Sequence, residues 1–107
     1  MLSRLLQEIE SGWGERVIGL LDRNARASPA AQALLVHYNG LVDGMRPVKV
    51  SNVRFSSQNR DGRLLVTGRL QMQVRDASAP PRMLAVQAEF AARDGEVVML
   101  RLSQAQE

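Results

Sequence analysis

From Leu64 to Val74 the chain alternates without a break. Leu64, Val66, Gly68, Leu70, Met72 and Val74 share one parity, and Leu65, Thr67, Arg69, Gln71 and Gln73 share the other. Successive side chains of a strand point to opposite faces, so this run predicts a long strand with one face on a core and the other toward solvent. Leu84, Val86, Ala88, Phe90 and Ala92 repeat the pattern, and Val98, Leu100 and Leu102 repeat it again. A chain built this way needs an antiparallel sheet and something apolar to lay against its inner face.

The joints between these runs carry hairpin chemistry. Asp61-Gly62 and Asp94-Gly95 each sit between alternating segments, and both residues of such a pair tolerate the left-handed backbone that a tight hairpin requires. Ser78-Ala79-Pro80-Pro81 predicts a looser connection between the middle strands. Before the first hairpin the phase slips: Val48 and Val50 are even, Val53 and Phe55 odd. One extra residue near Ser51-Asn52 restores the pattern, which predicts a β-bulge there.

Upstream of Gly44-Met45-Arg46-Pro47 the spacing is helical instead. Leu5, Leu6 and Ile9 form one stripe, with Ser3 as the expected N-cap and Ser11-Gly12 as the stop. Val17, Leu20 and Leu21 form a second, short stripe. A third helix is predicted from Ser28-Pro29, with Leu34, Leu35, Tyr38, Leu41 and Val42 facing inward and Gly44 ending it. Helices first and strands after predict one α+β domain over residues 1–107, three helices packed on a four-stranded antiparallel sheet.

Composition narrows the chemistry. The 107 residues include no cysteine, which excludes a disulfide framework, a thiolate metal site and a thiol nucleophile. No apolar run reaches the roughly 20 residues of a membrane helix, and the N-terminus lacks the form of a secretory leader, so the expected setting is cytoplasmic, away from membranes. The formal charge is +3, and Arg supplies nearly all the basic residues, as a GC-rich genome would also give. The aromatic residues do not interleave with the basic ones, which argues against a nucleic-acid platform.

Leu6-Gln7-Glu8-Ile9-Glu10-Ser11-Gly12 through Val17-Ile18-Gly19-Leu20-Leu21-Asp22, together with the closing Arg93-Asp94-Gly95-Glu96-Val97-Val98-Met99-Leu100-Arg101-Leu102, resembles the nuclear-transport-factor-2-like superfamily, with its SnoaL-like and ketosteroid-isomerase-like members. The resemblance implies a cone in which a curved sheet wraps long helices around a pocket, often in a dimer. Isomerases, dehydratases, cyclases and non-catalytic binding domains all share that frame, and the frame does not choose among them. The segment Arg23 to Ser28 is too short for the strand or hairpin common at that point of the fold.

Candidate site residues follow from the same patterns. His37 and Asp22 are the candidate acid–base groups: His37 lies at the margin of the third helix stripe, and Asp22 sits where the resemblance places a pocket mouth. Asp22 has a structural alternative, pairing with Arg23 or Arg26 or accepting backbone N–H groups in the next turn. Tyr38, His37, Trp13, Met72 and Phe90 are the expected pocket residues, suited to an apolar or amphipathic small molecule. No position expected to face the interior from the long strands can ionise, which argues against an isomerase. No cofactor or metal is expected.

Arg69, Gln71, Gln73, Gln87, Met99 and Arg101, with Arg75 nearby, are expected on the outer sheet face, which suits sheet-to-sheet contact in a homodimer as well as plain solvation. The reading is a non-catalytic domain that binds a small ligand or a protein and self-associates through that face. A small-molecule isomerase, hydratase or cyclase is the alternative, and an accessory domain of a larger protein a third.

Overall fold

A computed structural model describes residues 2–73 and 80–105. Helix α1 (Leu2–Ser11) is followed by the short α2 (Gly14–Ile18), a single 3-10 turn (Ala25–Ala27) and α3 (Pro29–Val42). Four strands then run β1 (Lys49–Arg60), β2 (Arg63–Gln73), β3 (Arg82–Arg93) and β4 (Glu96–Gln104). The sheet is an antiparallel meander in the order β1-β2-β3-β4, so the α+β reading with helices before strands holds.

Local chemistry explains most boundaries. Ser28 caps α3 by accepting the Ala31 N–H on its hydroxyl, and Pro29 occupies the first turn, where its missing N–H costs nothing. The helix ends with Asp43 in the left-handed region at φ 50°, followed by Gly44 at φ 73°. Helix α1 begins at Leu2, so Ser3 lies inside its first turn and is not the cap expected from the sequence. The connection from Asp22 to Pro29 is as terse as its length requires: one 3-10 turn and a single parallel bridge between Leu21 and Met99.

Both Asp-Gly pairs form two-residue hairpins with left-handed backbone throughout: Asp61 and Gly62 at φ 52° and 77°, Asp94 and Gly95 at 53° and 80°. That is the turn whose twist matches the flanking strands. The bulge in β1 is where the phase slip put it. The register shifts between Ser51 and Arg54, and Asn52 takes a φ of 51°.

A second bulge was hidden. Glu89 pairs with Arg101 and Phe90 with Met99, leaving Leu100 as the extra residue in β4. The expected inner set Val98, Leu100 and Leu102 is therefore wrong at two positions: Met99 and Leu102 are fully buried, while Val98 and Leu100 are only half-buried. Val97-Val98-Met99-Leu100 is apolar at every position, so alternation cannot reveal the slip there.

The core lies between α1–α3 and the inner sheet face. Leu5, Ile9, Val17 and Leu21 come from the first helices, Leu34, Tyr38 and Val42 from α3, and Val66, Leu70, Met72, Leu84, Phe90, Met99 and Leu102 from the sheet. Gly14 lets α2 approach α3 closely, since a Cβ there would sit 2.3 Å from a Leu35 methyl and 2.6 Å from the Asn39 side-chain oxygen. Burial along β1 fades after Val53: every residue from Arg54 to Arg60 is exposed. Val74, Arg75 and the Ser78-Ala79 part of the loop lie outside the described residues.

Candidate functional site

The interior is the first place to look, and its polar inventory is small. Among the described residues Tyr38 is the one wholly buried residue with a polar side-chain group, and the side-chain oxygen of the half-buried Asn39 on α3 is enclosed without a hydrogen-bond partner. The Tyr38 hydroxyl donates to the Ile9 carbonyl, tying α3 to α1, and burial pushes its phenol up to about 12, against a smaller opposing pull from the Gly12 backbone and Arg46. Its polar tip is thus committed to the fold, as buried Tyr commonly is. Met72 and Phe90, the other expected pocket residues from the sheet, are 0% and 3% exposed in the same packed cluster.

Trp13 stands outside that cluster. It is half-exposed at the joint between α1 and α2, with the Arg46 guanidinium 3.9 Å from its ring centroid. Arg46 also donates through Nε to the Gly12 carbonyl at 2.7 Å, so the pair clasps the joint to the segment entering β1. This is a cation–π contact on the surface rather than a pocket wall.

The two acid–base candidates do not meet. Asp22 lies in the connection after α2, donating its backbone N–H to the Met99 carbonyl at 2.9 Å and accepting the Ala25 and Arg26 N–H groups on its main-chain carbonyl. Its carboxylate faces Arg93 at 3.4 Å, a partner on β3 that the sequence reading replaced with Arg23 or Arg26. Arg26 turns back instead, donating to the Gly19 and Leu21 carbonyls. His37 is half-buried at the edge of the α3 stripe. Among the described residues no three His, Asp or Glu gather at metal-binding distance.

The outer sheet face is built differently. Strand pairing sets it out in rungs: Arg60, Arg63, Ala91 and Val98; then Gln58, Leu65, Glu89 and Arg101; then Ser56, Thr67, Gln87 and Ser103; then Arg54, Arg69 and Ala85. Ser51, Gln71 and Met83 form a fifth rung, and Lys49 with Gln73 a sixth. Arg69, Gln71, Gln73, Gln87 and Arg101 therefore share this face, as alternation predicts. Met99 does not: the β4 bulge turns it into the core, where it is 0% exposed.

A depression of about 580 Å³ opens on this face near the β1–β2 hairpin, lined chiefly by Arg60, Arg63, Leu65, Gln87, Glu89 and Arg101. A second, of about 440 Å³, continues past Gln87 and Arg101 toward Ser103 and Ala105. In the first depression Arg63 holds Glu89 at 3.0 Å, and elsewhere on the face Asn52 donates to the Gln71 side-chain oxygen at 2.6 Å. Arg54, Arg60, Arg69 and Arg101 form no ion pair among the described residues. Arg60 and Arg63 were not singled out from the sequence, because each flanks a turn whose Asp-Gly pair already explains the segment.

Three helices laid on a bulged antiparallel meander are the architecture of the nuclear-transport-factor-2-like cone, and the comparisons with solved structures agree. Bdellovibrio bacteriovorus Bd1075 superposes at a TM-score of 0.60 and 15% identity over 99% of this chain and 40% of that one, so the chain spans less than half the length of Bd1075. A designed protein of the nuclear-transport-factor-2 type superposes at 0.58 and 15% identity, covering 96% of this chain and 91% of its own. The chain has the nuclear-transport-factor-2-like fold. No family model and no curated protein matches its sequence. Among the described residues no helix is long and apolar enough to cross a membrane.

Proposed function

We propose that this chain is a non-catalytic protein-interaction domain that works through the outer face of its sheet. One contrast carries the reading. Inside, the described apolar side chains pack into one buried cluster between helices and sheet, and the Tyr38 hydroxyl is spent on the Ile9 carbonyl. Outside, an open depression is lined by guanidinium, carboxylate, carboxamide and aliphatic groups, and Arg60 and Arg101 there form no ion pair among the described residues. Acid–base catalysis needs an ionisable group in a water-excluded pocket, and binding at a protein surface needs polar groups around an apolar floor. The second requirement is the one met here, with Leu65 and Met83 among the arginines and glutamines. The 40% share of Bd1075 that superposes on this chain supports a further possibility of the same kind, a domain carried within a larger protein.

The test is a map of backbone amide shifts in the presence of a set of small apolar and amphipathic fragments. Shifts at Leu65, Gln87, Glu89 and Arg101 are expected. Shifts confined to Leu34, Tyr38, Met72 and Phe90 would move the site into the cone and revive the small-molecule enzyme reading. Sedimentation at high micromolar concentration tests the homodimer expected from the sequence on the same sample.

A further inference from the structure

We infer that the outer sheet face takes an extended acidic peptide segment of a partner protein, an inference that rests on the interaction reading above. The face carries Lys49, Arg54, Arg60, Arg63, Arg69 and Arg101, all exposed, against two carboxylates in the rungs of the described residues: Glu89, and Glu96, which stands opposite Arg93 at the hairpin end of the β3–β4 ladder. Glu89 is already held by Arg63, and Asp61 adds one more carboxylate only at the turn that bounds the face.

This charge does not serve the fold. Arg54 pairs directly across the ladder with Arg69, and Arg60 with Arg63. Like charges facing each other on one sheet surface cost stability, and an incoming anion removes that cost. A second copy is a poor occupant, because it would bring the same six cations against these six. An acidic partner supplies what the face lacks, and guanidinium groups bind carboxylates in bidentate fashion.

Geometry favours a peptide over a nucleic acid. None of the four aromatic residues lies on this face: Phe55 pairs with Gly68 and Phe90 with Leu64 on the inner side, and Trp13 and Tyr38 belong to the helical segment. Bases would have nothing to stack on. Gln58, Gln71, Gln87 and Thr67 offer both donors and acceptors, which suits a peptide backbone. The Arg60–Arg63 and Arg54–Arg69 rungs are six residues apart along β2, about 20 Å at the strand rise, so an extended segment with acids near both ends spans them.

The probes are a labelled peptide of about twelve alternating Glu and Ser residues, long enough to cover both rungs, the same peptide with Gln for Glu, and an oligothymidylate of equal charge. Binding to the intact chain is followed by fluorescence anisotropy and amide shifts. The Glu peptide is expected to bind at least about tenfold tighter than the Gln peptide, to weaken severalfold as salt rises from about 50 to about 500 mM, and to shift amides on β1, β2 and β4. Equal binding of both peptides, or tighter binding of the oligothymidylate, overturns the acidic-peptide assignment. If fragments still map to Leu65 and Gln87 in that case, the interaction reading survives it. Peptide shifts on the helices would overturn both.

Discussion

Arg54 and Arg69 stand directly opposite each other on adjacent strands, two exposed guanidinium side chains on one sheet face with no ion pair to either among the described residues. A fold optimised for stability alone would place unlike charges or β-branched residues at such a position. The pair marks where the surface departs from what folding asks of it.

Arg54→Thr is therefore expected to raise stability by about 0.2–1 kcal/mol at low salt, since it removes the cross-strand repulsion and adds a β-branched residue. Urea unfolding at low and high ionic strength checks this. The gain should shrink as salt screens the pair. A loss of stability at low salt would mean that the two guanidinium groups are not repelling each other.

Tyr38 gives a pH signature. Its phenol is held up to about 12 by burial, so the unfolded chain gives up that proton at lower pH than the folded one does. Its contribution to stability is fully present below about pH 10 and is lost as pH rises from there toward 12. Tyr38→Phe should cost about 1 kcal/mol near neutral pH through the lost bond to Ile9, and should flatten the alkaline decline. Unfolding curves of both proteins from pH 8 to pH 11.5 test this; parallel declines would contradict it.

The hidden bulge in β4 separates two methionines that alternation puts on one face. Met99→Lys is expected to cost more than about 3 kcal/mol, because it buries an unpaired charge at a fully enclosed site. Met83→Lys, on the half-exposed outer face, should change stability by no more than about 0.5 kcal/mol. Equal effects would mean that β4 keeps the unbulged register.

Gly14→Ala tests the approach of α2 to α3. The added methyl would meet Leu35 and Asn39 far inside contact distance, so a loss of about 1–3 kcal/mol is expected despite the better helix propensity of Ala. A neutral or stabilising result would show that the two helices pack less tightly than this.

Most of the architecture was legible because the chain announces it locally. The Asp-Gly pairs gave both hairpins, the parity change from Val50 to Val53 gave the β1 bulge, and Ser28-Pro29 gave the start of α3. Reading failed where every residue satisfied more than one pattern: the apolar run Val97 to Leu100 conceals a phase slip, and Met99 was misplaced with it. The site was only partly legible. Alternation alone placed Arg69, Gln87 and Arg101 on one face, and the two-residue Asp61-Gly62 turn fixes the register that sets Arg60 opposite Arg63 and Arg54 opposite Arg69, although neither pair stands out until the strands are laid side by side. Tyr38, Met72 and Phe90 read as pocket residues because a core and a pocket have the same lining in sequence; in the structure all three belong to the buried cluster. Only packing distinguishes them.

The most direct test of the account is to measure stability and acidic-peptide affinity together in two variants. The Arg69→Gln/Arg101→Gln double variant is expected to keep its stability or gain up to about 1 kcal/mol from relief of the Arg54–Arg69 repulsion, while losing most of its affinity. Tyr38→Phe is expected to do the reverse, losing about 1 kcal/mol of stability while binding the peptide as the parent does. Binding that survives loss of both arginines and disappears with the Tyr38 hydroxyl would place the working site inside the cone and contradict the account.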